Sequence, residues 1–276
     1  MNNPVHPIKV AATMIKSITR LFNLAEGIQV KKIAIALSKG GVGKTTTAVN
    51  LAAGIARKGK SVLLVDVDTQ GQVSRALGSK PLHGLAEMVS GEVPYERACV
   101  QARDNLWLLA GGRSIAGLKR QITRKDFGGE RTLSEALDNL NLSYDYIILD
   151  TPPGWDALTV NVLFYANAVL APVSLEIMTL QGLMDFVRSM SAIQKYHDEL
   201  QLKYVLPTFF DRRVKKSDEI LDQLQTHFGE QVCPPIRYNV RLSEAPGYGQ
   251  TIYEYSPRSA GAEDYSRLTE RILEDE

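Results

Sequence analysis

Between an apolar run, Val30 to Leu37, and a helix-forming stretch, Thr45 to Lys58, stand Ser38-Lys39-Gly40-Gly41-Val42-Gly43-Lys44-Thr45-Thr46. Glycines at that density let successive backbone N–H groups converge on one anion. A helix that begins there adds a partial positive charge to them. Lys44 can then neutralise the β- and γ-phosphates of a nucleotide, and the Thr45 hydroxyl can ligate Mg2+. Lys39, Gly40, Gly41, Val42, Gly43, Lys44, Thr45 and Thr46 are therefore the candidate nucleotide loop. The common form of such a loop, G-x-x-x-x-G-K-[ST], is met except at its first glycine, which falls on Ser38. A chance Lys-Thr after glycines explains the segment poorly, because strand and helix flank it on the correct sides.

Two more apolar runs end in carboxylates. Ser61 to Asp66 is followed by Asp68, and Tyr144 to Asp150 closes on its own acid. Open α/β sheets bind ligands beyond the carboxyl ends of their strands. Asp66, Asp68 and Asp150 are thus directed at the same crevice as the loop. One acid at a strand end is ordinarily a solvated turn; two such ends after a phosphate loop are not.

The elements that must hold these residues follow from the pattern of the rest. Asn105 to Ala110, Ala168 to Val173 and Lys203 to Phe210 are further strand candidates, with helical stretches between them and Gly59 placed to end the first helix. Near-continuous apolar strands alternating with helices predict an α/β fold, a single domain with a mostly parallel central sheet covered by helices on both faces. That domain spans residues 30–276, after an N-terminal extension of residues 1–29. In the extension, Val10, Met14, Ile15, Ile18, Leu21, Phe22 and Ala25 form one helical stripe, and Met14 is an alternative start. A helix packed on its own chain or on a second copy is the preferred reading over a membrane-surface segment.

Composition narrows the function classes. The 276 residues are 44% hydrophobic and carry 32 Lys+Arg against 31 Asp+Glu, so only a local patch can hold a polyanion. Cys99 and Cys233 stand far apart, without the spacing of a zinc or redox motif, which suits a reducing cytoplasm. No apolar run approaches the ~20 residues of a membrane span.

The loop with its additional lysine, x-K-G-G-x-G-K-[ST], resembles the deviant Walker A of the ParA/MinD class of P-loop ATPases. That resemblance implies ATP and Mg2+ as cofactors, and a dimer in which Lys39 reaches the phosphates held by the other subunit. Asp66-Val67-Asp68-Thr69-Gln70-Gly71-Gln72 is similar to the family's D-x-D-P-Q-G element, with Thr69 in place of proline. It implies that Asp68 orients the attacking water and that Asp66 is structural. Asp150-Thr151-Pro152-Pro153-Gly154 matches the Walker B segment, implying that Asp150 holds Mg2+ through water. With Lys39 and Lys44 neutralising developing charge, the implied activity is ATP hydrolysis, weak until a partner stimulates it.

The C-terminal third selects a branch. Tyr238-Asn239-Val240-Arg241-Leu242-Ser243-Glu244-Ala245-Pro246, continued by Tyr255 to Ala262, resembles the R-N-V-R-L-S-E-A-P signature of Soj-type partition ATPases, with Tyr238 where the signature has arginine. The resemblance runs from about Val30 to the C-terminus. It implies a nucleotide contact at Asn239, nonspecific double-stranded DNA as a ligand and a ParB-like centromere-binding partner. The protein is then cytoplasmic and nucleoid-associated. Its DNA candidates are Arg212, Arg213, Lys215, Lys216, Arg241 and Arg258. A second basic set, Arg113, Lys119, Arg120, Arg124 and Lys125, is as readily a solvated helix face. The alternative is a MinD-like or orphan positioning ATPase for a protein cargo or division site. The acidic C-terminal tip disfavours membrane binding there, and no second substrate site favours a metabolic ligase.

Overall fold

A computed structural model describes residues 30–140, 143–211 and 213–275; the amphipathic stretch 9–25 and Arg212 lie outside the described residues. Seven strands form one sheet: β1 (Lys31–Ile35), β2 (Val62–Asp66), β3 (Cys99–Arg103), β4 (Leu106–Leu109), β5 (Tyr146–Asp150), β6 (Ala168–Ser174) and β7 (Gln201–Thr208). Their spatial order is β3-β4-β2-β5-β1-β6-β7, all pairs parallel except β3 with β4. β2, β5 and β6 are buried at every residue, as expected of strands with helices on both faces. The antiparallel β3 was not expected from the sequence: CVQAR is half polar and only partly buried, because it is an edge strand with one neighbour.

The helices that matter for the site are α1 (Lys44–Arg57), α2 (Gln72–Ala76), α3 (Leu85–Val89), α4 (Ile115–Arg124), α5 (Ala157–Tyr165), α6 (Ile177–Gln194), α7 (Lys215–Phe228), α8 (Val240–Glu244) and α9 (Ala260–Glu274). α1 starts at Lys44, and Gly59 follows its last turn with φ +88°. One core cluster joins Ile33 and Ile35 of β1, Leu51 and Ile55 of α1, and Tyr265, Leu268 and Ile272 of α9. Across that interface the Tyr265 and Thr47 hydroxyls are 3.1 Å apart and hydrogen-bonded. The described residues contain no helix long and apolar enough to cross a membrane.

Register does most of the positioning. β5 lies between β1 and β2, with Ile35 level with Asp150 on one side and Asp66 level with Asp150 on the other. Adjacent strands are about 4.8 Å apart, so the chain after β1 and both acids emerge side by side at one edge. Arg103, at the end of β3, ties the C-terminal signature to the segment after β2. It donates to the carbonyls of Leu77 (3.1 Å) and Gly249 (2.9 Å) and pairs with Glu254 (2.5 Å). Gly249 touches Gly78 so closely that a Cβ would lie 2.6 Å from the Gly78 Cα.

Candidate active site

The loop after β1 turns into α1 through Gly41 (φ +75°) and Gly43 (φ +89°), a backbone region that side-chain-bearing residues rarely adopt. Val42 is buried between them, and its carbonyl accepts from the Thr208 hydroxyl at 3.0 Å. Gly40, Gly41, Gly43, Lys44, Thr45 and Thr46 line a cavity of about 680 Å3, together with Asp68, Asn239 and the start of the segment after β5. That volume is in the range of small-molecule sites.

Lys44 is buried, and its ammonium donates to the carbonyls of Leu37 (3.1 Å) and Lys39 (2.8 Å). Burial lowers its pKa, opposed by the Asp150 and Asp68 carboxylates. The Thr45 hydroxyl donates to Asp150 Oδ2 at 2.7 Å. Asp150 Oδ1 is buried and has no hydrogen-bond partner. Burial first, and then the neighbouring Asp66, push the Asp150 carboxyl well above the usual carboxylate range. A buried, unpaired carboxylate oxygen beside a hydroxyl fits a hard divalent cation, whose charge reverses that penalty.

Asp66 is fully buried and accepts from the amides of Asp68 (2.9 Å) and Val73 (3.3 Å). Burial pushes its pKa up to about 7 against those two hydrogen bonds. Its carboxylate fixes the turn rather than facing the cavity. Asp68 does line the cavity, and one of its oxygens accepts from the Gln70 amide at 3.0 Å. Lys39 stands apart from the cavity lining: its ammonium donates to Glu176 Oε2 (2.9 Å) and to the Thr179 hydroxyl (2.7 Å), at the start of α6.

At the opposite wall, the Asn239 side-chain oxygen accepts from the Arg241 amide at 2.9 Å and caps α8. Arg237 also lines the cavity, but its guanidinium is bound to Asp264 and Glu263 of α9, which raise its pKa. Sequence reasoning missed Asp156, Phe209 and the cavity role of Lys119. Asp156 caps α5 through the amides of Leu158 and Thr159 and pairs with Lys119 at 2.7 Å. Burial works against its ionisation, but Lys119 and those amides outweigh it and hold the carboxyl below the usual range. An Asp just before the apolar run Ala157 to Tyr165 is a helix-cap signal that could have marked it. Phe209 sits at φ +57° just after β7, and nothing in its own type announces that conformation.

The basic candidates divide. Lys215 and Lys216 open α7, and Arg258 precedes α9; all three are exposed and, among the described residues, in no ion pair. Arg213 is paired with Asp211 (2.7 Å) and Arg241 with Glu244 (2.8 Å).

A family model described as "AAA domain" matches residues 30–203. The chain is 39% identical over 247 residues to the chromosome-partitioning ATPase Soj of Thermus thermophilus, covering 89% of this chain and 96% of that protein. It is 36% identical over 250 residues to the sporulation initiation inhibitor protein Soj of Bacillus subtilis, covering 88% and 98%. Among solved structures, cobyrinic acid a,c-diamide synthase of Mycobacterium smegmatis, crystallised with ADP and magnesium, superposes with a TM-score of 0.76 at 30% identity, covering 89% of this chain and 94% of that one.

Proposed function

Because the chain belongs to the Soj/ParA family of chromosome-partitioning P-loop ATPases, we propose that it binds ATP with Mg2+, dimerises on doing so and holds DNA without sequence preference. Hydrolysis, stimulated by a ParB-like centromere-binding partner, then releases the DNA. The observation that carries this reading is the Thr45–Asp150 hydrogen bond with Asp150 Oδ1 left unpartnered beside the buried Lys44.

Thr45 and, through water, Asp150 would hold the cation, which would supply neutralisation of the phosphate charge. The glycine-rich turn presents amide donors to the phosphates, and Lys44 balances their charge from a largely buried position. Asp68 orients the attacking water, held in place by the Gln70 amide and by Asp66 beneath it. Lys39, at the rim, is the residue that completes the site of a second copy. Asn239 contributes to the nucleotide wall through its free amide, since its oxygen caps α8.

On the DNA side, Lys215, Lys216 and Arg258 contribute uncompensated charge. Arg213 and Arg241 must exchange an acidic partner for phosphate, and Arg212 extends the same run. Such a conditional patch suits a protein that must release DNA as well as hold it. The test is binding of a random-sequence duplex by the full chain with ATP and with ADP. Salt-sensitive binding with ATP that is absent with ADP supports the proposal. Equal affinity in both nucleotide states overturns it, and liposome binding without DNA affinity favours a membrane-based positioning ATPase.

A further inference from the structure

Helix α4 carries a basic face whose charge the described residues leave largely uncompensated. Arg113 immediately precedes its N-cap, Ser114, and Arg120 and Arg124 follow one turn apart; all three are exposed. Among the described residues, none of the three is in an ion pair or a side-chain hydrogen bond. This contrasts with the C-terminal third, where Arg213, Arg237, Arg241 and Arg267 each hold an acid of their own chain.

A groove of about 280 Å3 separates α4 from α3 and carries Glu87 and Glu92 opposite Arg120 and Arg124. The Glu87 carboxylate is committed to the start of α3, where it accepts from the Gly84 amide at 2.9 Å. Lys119 turns inward to Asp156, and Lys125 stands 3.8 Å from Glu135. Arg120 and Arg124 thus share the groove with Glu92 and with a Glu87 carboxylate already held by a backbone amide, while Arg113 lies outside the groove lining.

The face also lacks what a protein partner needs. The apolar residues of α4, namely Ile115, Leu118 and Ile122, are all buried inward. The outer side offers Gly117, Gln121 and Ser114 between the arginines, and the exposed Phe127 lies beyond the helix end. Protein interfaces centre on desolvated apolar residues, whereas DNA interfaces are polar and strongly positive. Arg120 and Arg124 are about 6 Å apart along the helix, far enough for each to meet a different phosphate.

We propose that the Arg113–Arg120–Arg124 face of α4 is a second phosphate-contacting surface for duplex DNA, separate from the C-terminal basic run. It rests on the DNA-binding reading above. The face begins beside the hydrolysis machinery: Arg113 follows Gly112, whose amide donates to the Asp68 carbonyl at 2.9 Å. DNA bound there therefore contacts the chain one residue from the segment that holds Asp68.

The experiment compares the full chain with its R113Q/R120Q/R124Q and R113K/R120K/R124K variants by fluorescence anisotropy on a random duplex, with ATP, across a salt series. Thermal melting and ATP-analogue binding verify that each variant is folded. Each lost phosphate contact lowers the slope of log affinity against log salt by ~0.9, so the glutamine variant is expected to lose roughly 2–3 from the slope and at least ~10-fold in affinity. The lysine variant is expected to stay within about threefold of the parent, since phosphate contacts need charge more than fork geometry. Unchanged slope in the glutamine variant, with the parent binding normally, overturns this proposal and leaves the partition reading intact. Unchanged DNA binding with lost stimulation by an acidic protein partner also overturns it, assigning the face to that partner. A parent chain without DNA affinity overturns both.

Discussion

The Lys39 ammonium lies 2.9 Å from Glu176 of its own chain and is further held by the Thr179 hydroxyl at 2.7 Å. A lysine engaged in this way must leave those partners before it can reach phosphates on another copy. The pair is partly solvated, with Glu176 well exposed, so it sets a modest threshold. Glu176→Gln is expected to tighten ATP-dependent dimerisation by roughly two- to fivefold, the weight of an exposed ion pair. Lys39→Ala is expected to abolish it. Sedimentation velocity with ATP measures both, and weaker association of the Glu176 variant contradicts the idea.

Asp150 is placed for function at a cost to the nucleotide-free fold. Asp150→Asn removes a buried carboxylate with an unpaired oxygen and a carboxylate neighbour, while the amide can still accept from Thr45. Expected outcomes are at least a hundredfold loss of Mg2+-dependent ATP hydrolysis and a gain of about 1–2 kcal/mol in stability without nucleotide. Chemical denaturation and steady-state ATPase assays on the same preparation test the two together. A variant less stable than its parent would count against the assignment.

Asp264 is fully buried, binds the Arg237 guanidinium and amide, and meets Arg267 as well. Asp264→Ala removes the buried acceptor of the Arg237 guanidinium and amide, leaving only Glu263 as its acid, and loosens the segment that carries Asn239. A loss of about 1–3 kcal/mol is expected, the weight of hydrogen bonds to charged groups that stay partly solvated, with a raised KM for ATP from the loosened wall. Asp264→Asn, which preserves shape and one acceptor, is expected to lose less. Equal effects of the two would show that volume, not charge, matters there.

Burial pushes the Cys233 thiol up to about 12. A thiol whose folded pKa lies above its unfolded value stabilises the fold fully below about pH 9 and loses that contribution as pH rises toward 12. The stability difference between the parent and Cys233→Ala is therefore expected to be constant up to pH 9. Above that it narrows by roughly 1.4 kcal/mol per pH unit. Urea melts from pH 7 to 11 measure it, and a pH-independent difference refutes it. Cys99, whose pKa burial also raises, is likewise expected to react slowly with maleimide in the folded chain.

Periodicity and strand-end chemistry made the parallel core legible. β2, β5 and β6 are runs of apolar residues with little else in them, β1 turns apolar after two lysines, and Asp66 and Asp150 mark where two of the four end. β3 escaped because an edge strand need not be apolar, and its alternation, Val100 and Ala102 against Gln101 and Arg103, runs over only four residues. Lys44 was picked out by local spacing, Asp68 by its place at a strand end and Lys39 by a family resemblance, yet none of these says what a side chain touches before ligand arrives. The Glu176 contact spans 137 residues and follows from where α6 begins relative to the loop. Arg241 was legible as a charge, but its neutralisation by Glu244 depends on the short helix between them.

The packing of α9 on α1 has a consequence for how the protein is made. Tyr265 meets Thr47 across 218 residues of chain, and Leu268 and Ile272 complete the same core. Until α9 has been synthesised, the helix that follows the nucleotide loop has an apolar face with nothing to cover it. Contacts so distant in sequence are slow to form, so the helix after the loop stays incompletely packed until α9 has emerged and docked. A chain cut before α9 is therefore expected to lack the packed support of its nucleotide loop.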